Sequence, residues 1–253
     1  MIDDYLALVP AQIVFDRPVT SYESIEERLI EDTTLFNHTV GLLATKLNTL
    51  RDQLAKGIML DTHARDSVKS LSHDILPREF SIDHQQTSFS LLMAILRKKA
   101  DYLSLVVDSK FRPKLYSLRK FMRPKRILER LIQLEKKRLK LPNGQTYLRL
   151  LSSQPEGINE NAFYLSEILL ENCVHDIQKM CLEEHPEPNS LLPGPVMQLM
   201  VTDVLPPSNN YTSVEVDELV GETRTHLLSL LVPTRKKHEY PIEMALIVSN
   251  PNE

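Results

Sequence analysis

With 253 residues, 42% of them hydrophobic and 25% charged, the chain holds enough apolar material for a packed core in one large domain or two ordinary ones. A formal net charge of only −4 excludes charge-driven disorder. Six glycines beside sixteen prolines argue against glycine-lined phosphate loops and many tight hairpins, and in favour of long helices.

Met1 to Leu6 has neither a basic start nor a sustained apolar run, so it does not read as a signal peptide. Residues 1–19 read as an extended arm carrying Ile13, Val14 and Phe15 ahead of Pro18. Thr20 to Glu23 and Ser24 to Glu27 both fit the capping box and predict a helix start. Phe36, Val40, Leu43, Leu47, Leu50 and Leu54 then alternate steps of four and three. That stripe serves either a core-facing helix of a bundle or a short intermolecular coiled coil. Gly57 either bends this helix or lies within it, and Val68, Leu71 and Ile75 continue a helical stripe until Pro77 stops it.

The next helix is predicted from Gln85 to Val107, with Phe89, Leu92, Leu96, Tyr102, Leu103 and Val106 on its buried side. After Arg112-Pro113 a short helical piece carries Leu115, Leu118 and Phe121. A further helix runs from Pro124 to Lys140 and ends at Leu141-Pro-Asn-Gly144. Past a polar linker at 152–159, the spacing of Phe163, Ile168, Leu169, Cys173, Val174, Ile177 and Cys181 predicts a helix from Asn161 to Glu184. Short apolar or β-branched runs at 196–204, 211–220, 225–232 and 242–249 read as three or four strands, although His226 to Leu231 also suits a short helix. The predicted fold is mainly α. An elongated helical bundle over 20–190 follows the arm and carries a small β-containing region at 191–253.

Charge is unevenly distributed. Between Arg97 and Lys140 lie sixteen of the thirty Lys and Arg residues and only four acids, a local net of +12 inside a sequence that is otherwise at −16. Residues 151–220 carry −11. Arginine suits phosphate because its planar fork donates two parallel hydrogen bonds. Tyr102, Phe111, Tyr116 and Phe121 sit among the basic residues, where they either stack on unpaired bases or serve the core. The alternatives for the basic window are a solvated helix face, or pairing with acidic protein surface in the same molecule or a neighbour.

Other constellations carry less. Cys173, His175, Cys181 and His185 have the residue types of a zinc site, but on one helix His175 points away from both cysteines. The two cysteines, roughly 12 Å apart along such a helix, read as reduced, packed thiols. Asp61 to Asp66 and Ser72-His73-Asp74 gather acid and base on what reads as a solvated face. Thr234 to His238 is a small basic knot near the end. No nucleotide-binding, metalloprotease or nucleophile-elbow motif occurs, so catalysis is not expected and no metal or cofactor is implied.

The leading expectation is therefore a non-catalytic, nucleic-acid-binding component of a multi-subunit nucleoprotein assembly, contacting RNA or DNA. Arg112, Lys114, Arg119, Lys120, Arg123, Lys125, Arg126 and Arg130 would contact the phosphates. The alternative is a structural adaptor or scaffold that joins acidic protein surfaces or further copies without nucleic acid. Either form would belong to a homo- or hetero-oligomer. No apolar run approaches the ~20 residues of a membrane span, so no membrane partner is expected and a cytoplasmic location is.

Overall fold

The computed structural model describes residues 1–16, 24–57, 59–80, 88–153, 162–185, 187, 190–204, 211–220, 223–234 and 243–249, and structural statements refer to these. They form five α-helices, a nine-stranded mixed sheet whose first short strand precedes the fifth helix, and a separate two-stranded hairpin. This corrects the mainly-α expectation: the protein is α+β, and its helices pack on a mixed sheet.

Several local readings hold. Ser24 lies in extended backbone and accepts the Glu27 N–H at 3.1 Å, which starts α2, Ile25–Ala55. Phe36, Val40, Leu43, Leu47 and Leu50 of its stripe are buried, while Leu54 emerges at 41% exposure. They pack toward α1 (Ile2–Leu8), α4 (Phe89–Asp108) and α5 (Pro124–Leu139) of the same molecule. The seam is thus internal core, and neither a coiled coil nor an elongated bundle forms on it. Gly57 neither bends the helix nor lies within it. It sits just past the end in left-handed backbone (φ +61°), where a side chain would be strained. Helix α3, Thr62–Ser72, is capped by Asp61, whose carboxylate accepts the Ala64 N–H at 2.7 Å. The expected arm is partly helical, because α1 occupies its start; residues 10–16 are irregular, and Asn37 holds the backbone N–H and carbonyl of Ile13 at 2.7 and 2.8 Å.

The large departure begins around α5. Strand β1, Tyr116–Ser117, and a 3₁₀ turn at Leu118–Lys120 replace the short helical piece before it. Strand β2, Gln145–Leu150, follows it in a stretch for which the sequence predicts no element. The predicted helix at 161–184 is instead β3 (Phe163–Ser166), β4 (Leu169–Glu171), β5 (Cys173–Asp176) and β6 (Cys181–Glu184). Its turns place Glu167, Asn172 and Met180 at φ of 59°, 59° and 52°. Glycine normally marks such left-handed positions. Here non-glycine residues occupy them, so a helix-like apolar spacing met no punctuation in the sequence.

The C-terminal strands fall close to their predicted runs. They are β8 (Met197–Thr202), β9 (Tyr211–Val220), β10 (Thr223–Pro233) and β11 (Glu243–Ser249), with β7 (Leu191–Pro193) before them. The sheet order is β1-β3-β8-β2-β10-β9-β11-β4-β7, while β5 and β6 pair only with each other. Leu148, Leu150, Leu165, Met197, Leu199, Val214, Val216, Leu230, Val232 and Met244 are buried on the inner face. Helix α5 lies against β8 and α4 against β11, so this face and the α2 stripe share one core. Full burial of each such aliphatic side chain contributes about 1.5–3 kcal/mol. Alternate residues of the same strands form the outer face and are mostly half-buried or exposed, with Asp217 on β9 buried.

Candidate functional site

The basic window meets acids from the N-terminal half of its own molecule. Arg112 Nε donates to Glu26 Oε1 at 2.7 Å, and Arg123 and Arg126 both reach Glu31, at 3.3 and 3.1 Å. Lys120 pairs with Glu167 at 3.1 Å, Arg130 donates to Gln133 at 3.1 Å, and the buried Glu135 holds Arg138 in a two-pronged pair. Arg119 lies in the 3₁₀ turn, where its carbonyl accepts a bond from Lys99. Lys114 and Lys125 are exposed. Helix α2 therefore brings Glu26 and Glu31 across the face predicted to meet phosphates, and at least five of the eight residues assigned that role hold side-chain partners within the molecule. Exposed pairs of this kind are worth about 0–1 kcal/mol. Glu31→Gln should accordingly lower stability by less than about 1 kcal/mol, with the loss fading as salt rises, which urea denaturation at two ionic strengths would measure.

Beneath these pairs lies a buried clamp that no local pattern in the sequence marks. Asp32 on α2 accepts the Met122 and Arg123 N–H groups, one on each carboxylate oxygen, both at 2.8 Å. It thereby fixes, from another helix, the turn that leads into α5, and Pro124 at the first helical position has no N–H to satisfy. Lys99 on α4, 6% exposed, donates to the carbonyls of Arg119 (3.2 Å) and Phe121. Two buried opposite charges thus grip one backbone turn, an acid on its N–H groups and a base on its carbonyls. Burial pushes the Asp32 carboxyl up to about 6, against the opposing pull of the two N–H donors and of Lys99. Phe121 is fully buried and stands edge-on to Tyr102 at 5.4 Å. The Tyr102 hydroxyl donates to the Leu115 carbonyl and accepts the Ser117 N–H. The aromatics of the basic window are therefore structural: Phe111, Tyr116 and Phe121 are buried.

The outer sheet face is the other distinctive surface. Register sets Met200, Tyr147 and Leu231 side by side on β8, β2 and β10, all half-buried. Tyr211 meets Tyr147 edge-on at 5.9 Å. Further along, β9 and β10 carry charge. Arg224 bridges Glu171 (2.5 Å) and the buried Asp217 (3.4 Å), and His226 Nδ1 lies 3.2 Å from Asp217 and 3.9 Å from Glu215. Ligand atoms of Glu215, Asp217 and His226 lie within 4.8 Å of one another. They have the types to hold a cation, but Arg224 already supplies positive charge to Asp217. The signal in the sequence was Glu215-x-Asp217 facing Arg224-x-His226, legible only once the strand pairing is known.

The four residues with zinc-ligand chemistry are dispersed. Cys173 pairs across the hairpin with Glu184, and Cys181 with Asp176. Burial pushes the Cys173 thiol up to about 12, so it stays protonated and is a poor metal ligand. Asp61 and Asp74 serve helix starts; Asp74 accepts the Ser90 N–H at 3.0 Å at the beginning of α4.

No helix among the described residues is long and apolar enough to cross a membrane. No curated protein matches the sequence significantly. The profile of one family, described as the C-terminal domain of the dynein heavy chain, matches residues 1–240. That match replaces the nucleoprotein reading: the family is a motor-associated domain, and the basic segment is engaged with its own acids rather than marking RNA or DNA binding. The protein belongs to the family of dynein heavy-chain domains that form the C-terminal part of the motor polypeptide.

Proposed function

We propose that this protein is a non-catalytic domain of a dynein heavy chain that works as a rigid body, docking on the rest of the motor and steadying it under load. The observation that carries this reading is the double clamp on residues 119–123. Asp32 and Lys99 tie α2 and α4 to the start of α5, and α5 and α4 in turn lie on the sheet. Buried charges satisfied by backbone on both sides leave few alternative arrangements of low energy, because releasing either one strands a charge in the core. A body held in this way transmits force between its faces instead of yielding.

The test compares the full-length heavy chain with a form lacking this domain, in single-molecule assays of velocity and stall force. Loss of the domain should change stall force more than velocity at zero load. If removal leaves both quantities unaltered while the remaining motor is folded, the reading is wrong.

A further inference from the structure

On the outer face of β9 and β10 the charges do not balance. Glu171, Glu215 and Asp217 supply three carboxylates, and Arg224 is the one permanent cation paired with them among the described residues. With His226 neutral, three negative charges against one positive leave −2, which one divalent cation would cancel. The Asp217 side chain is only 4% exposed, whereas Glu215 and His226 open to solvent. Its two oxygens face different groups. Oδ2 stands 3.4 Å from Arg224, whose other terminal nitrogen is held by Glu171 at 2.5 Å. Oδ1 faces His226 Nδ1 at 3.2 Å, and that same nitrogen lies 3.9 Å from Glu215 Oε2. A bulge accompanies this convergence. The ladder pairs His226 with Asp217 and next Leu228 with Val216, so Leu227 is an extra residue on β10. Bulges re-aim side chains, here an imidazole set against two carboxylates of the neighbouring strand.

We propose that Glu215, Asp217 and His226 bind one divalent transition-metal ion of the zinc class, with Arg224 holding Asp217 in position. Zinc lies about 2.0–2.2 Å from imidazole nitrogen and carboxylate oxygen, so two donors of a tetrahedral site stand about 3.3–3.6 Å apart. The distances of 3.2 and 3.9 Å already approach that spacing. The third, within 4.8 Å, closes by rotation of the exposed Glu215 side chain. A hydrogen bond between His226 Nδ1 and a carboxylate needs a proton on the nitrogen, because the carboxylate only accepts. The metal takes the place of that proton, which leaves to solvent. Arg224 does not block the position. It faces the other oxygen of Asp217, as groups that orient a ligating carboxylate do. The imidazole selects zinc over calcium and magnesium, which take oxygen donors. Three protein ligands leave a fourth position on the solvent side for water. Because the ligands come from both strands, the ion clips β9 to β10.

The experiment sets the 253-residue chain in competition with a chromophoric chelator for zinc ion, beside His226→Ala and Glu215→Gln. Both positions are exposed, so the variants keep the fold, which circular dichroism would check. The wild type should take up one equivalent of zinc and melt at a higher temperature with it than without it. Each variant should bind at least about tenfold more weakly and lose the rise in melting temperature. His185→Ala, at a histidine outside the cluster, should bind as the wild type does, and an excess of calcium ion should not displace the zinc. Absence of uptake overturns the proposal, as does uptake that is equal in the wild type and both variants. Loss of binding in His226→Ala but not in Glu215→Gln also overturns it, since a lone surface histidine would then be the site. So does loss in His185→Ala, or displacement by calcium.

Discussion

Asp32→Ala should be the most damaging single change in this protein, lowering stability by about 3–5 kcal/mol, the range for removing one partner from a buried charge arrangement. The substitution leaves the Met122 and Arg123 N–H groups without their acceptor and Lys99 without its nearby anion. Asp32→Asn keeps the shape and one acceptor but turns an amide N–H toward a backbone N–H, so its cost should be smaller, about 1–3 kcal/mol. Urea denaturation of the three proteins measures both values. The pH dependence supplies a second readout. The folded-state carboxyl, at about 6, lies above its ordinary value of 3.8. Its linkage contribution is therefore fully present below pH 3.8 and is lost as pH rises through about 6. The full span corresponds to about 3 kcal/mol. The stability of the wild type relative to Asp32→Asn should thus fall between about pH 4 and 7 and level off above. A flat difference across that window would show that Asp32 ionises normally in the fold.

Phe121→Ala should cost nearly as much, about 3–5 kcal/mol, with Phe121→Leu recovering the greater part of the loss. Phe121 is completely buried, its ring contacts Tyr102, and its carbonyl is one of the two that receive Lys99. Truncation opens a cavity in the turn whose backbone Asp32 and Lys99 hold. Edge-to-face contact accounts for about 0.5–1.5 kcal/mol of the effect, and Tyr102→Phe would separate it from the hydroxyl's bonds to Leu115 and Ser117. If the clamp is what makes the domain rigid, Phe121→Ala should raise hydrogen exchange at the start of α5 and in residues 118–123 before it does so elsewhere.

The fate of the basic window shows how charge read along a sequence misleads. Sixteen bases between Arg97 and Lys140 invite a polyanion, yet Glu26 and Glu31, far earlier in the sequence, lie against Arg112, Arg123 and Arg126 in space. Nothing in the local sequence announces that pairing. Lys99 and Asp32 read as ordinary members of charged helix faces, and only the crossing of α2, α4 and α5 turns them inward onto one backbone turn. The same holds for Asp217, Arg224 and His226, which are brought together by the register of β9 and β10.

What depends on near neighbours was legible from the residues alone. The Ser24 cap, the α2 stripe, the extent of α5 between Pro124 and Gly144, and the run of C-terminal strands are set by short-range spacing, backbone chemistry and turn residues. What depends on distant pairing emerged only in the folded molecule. A helix-like apolar rhythm over 161–184 became four strands, because left-handed turns at Glu167, Asn172 and Met180 let each short run find partners in β8, β11, β7 and the hairpin. Sheet hydrogen bonds join residues tens of positions apart, so local periodicity carries no record of them, and buried charge acquires its role only when a folded backbone comes to meet it.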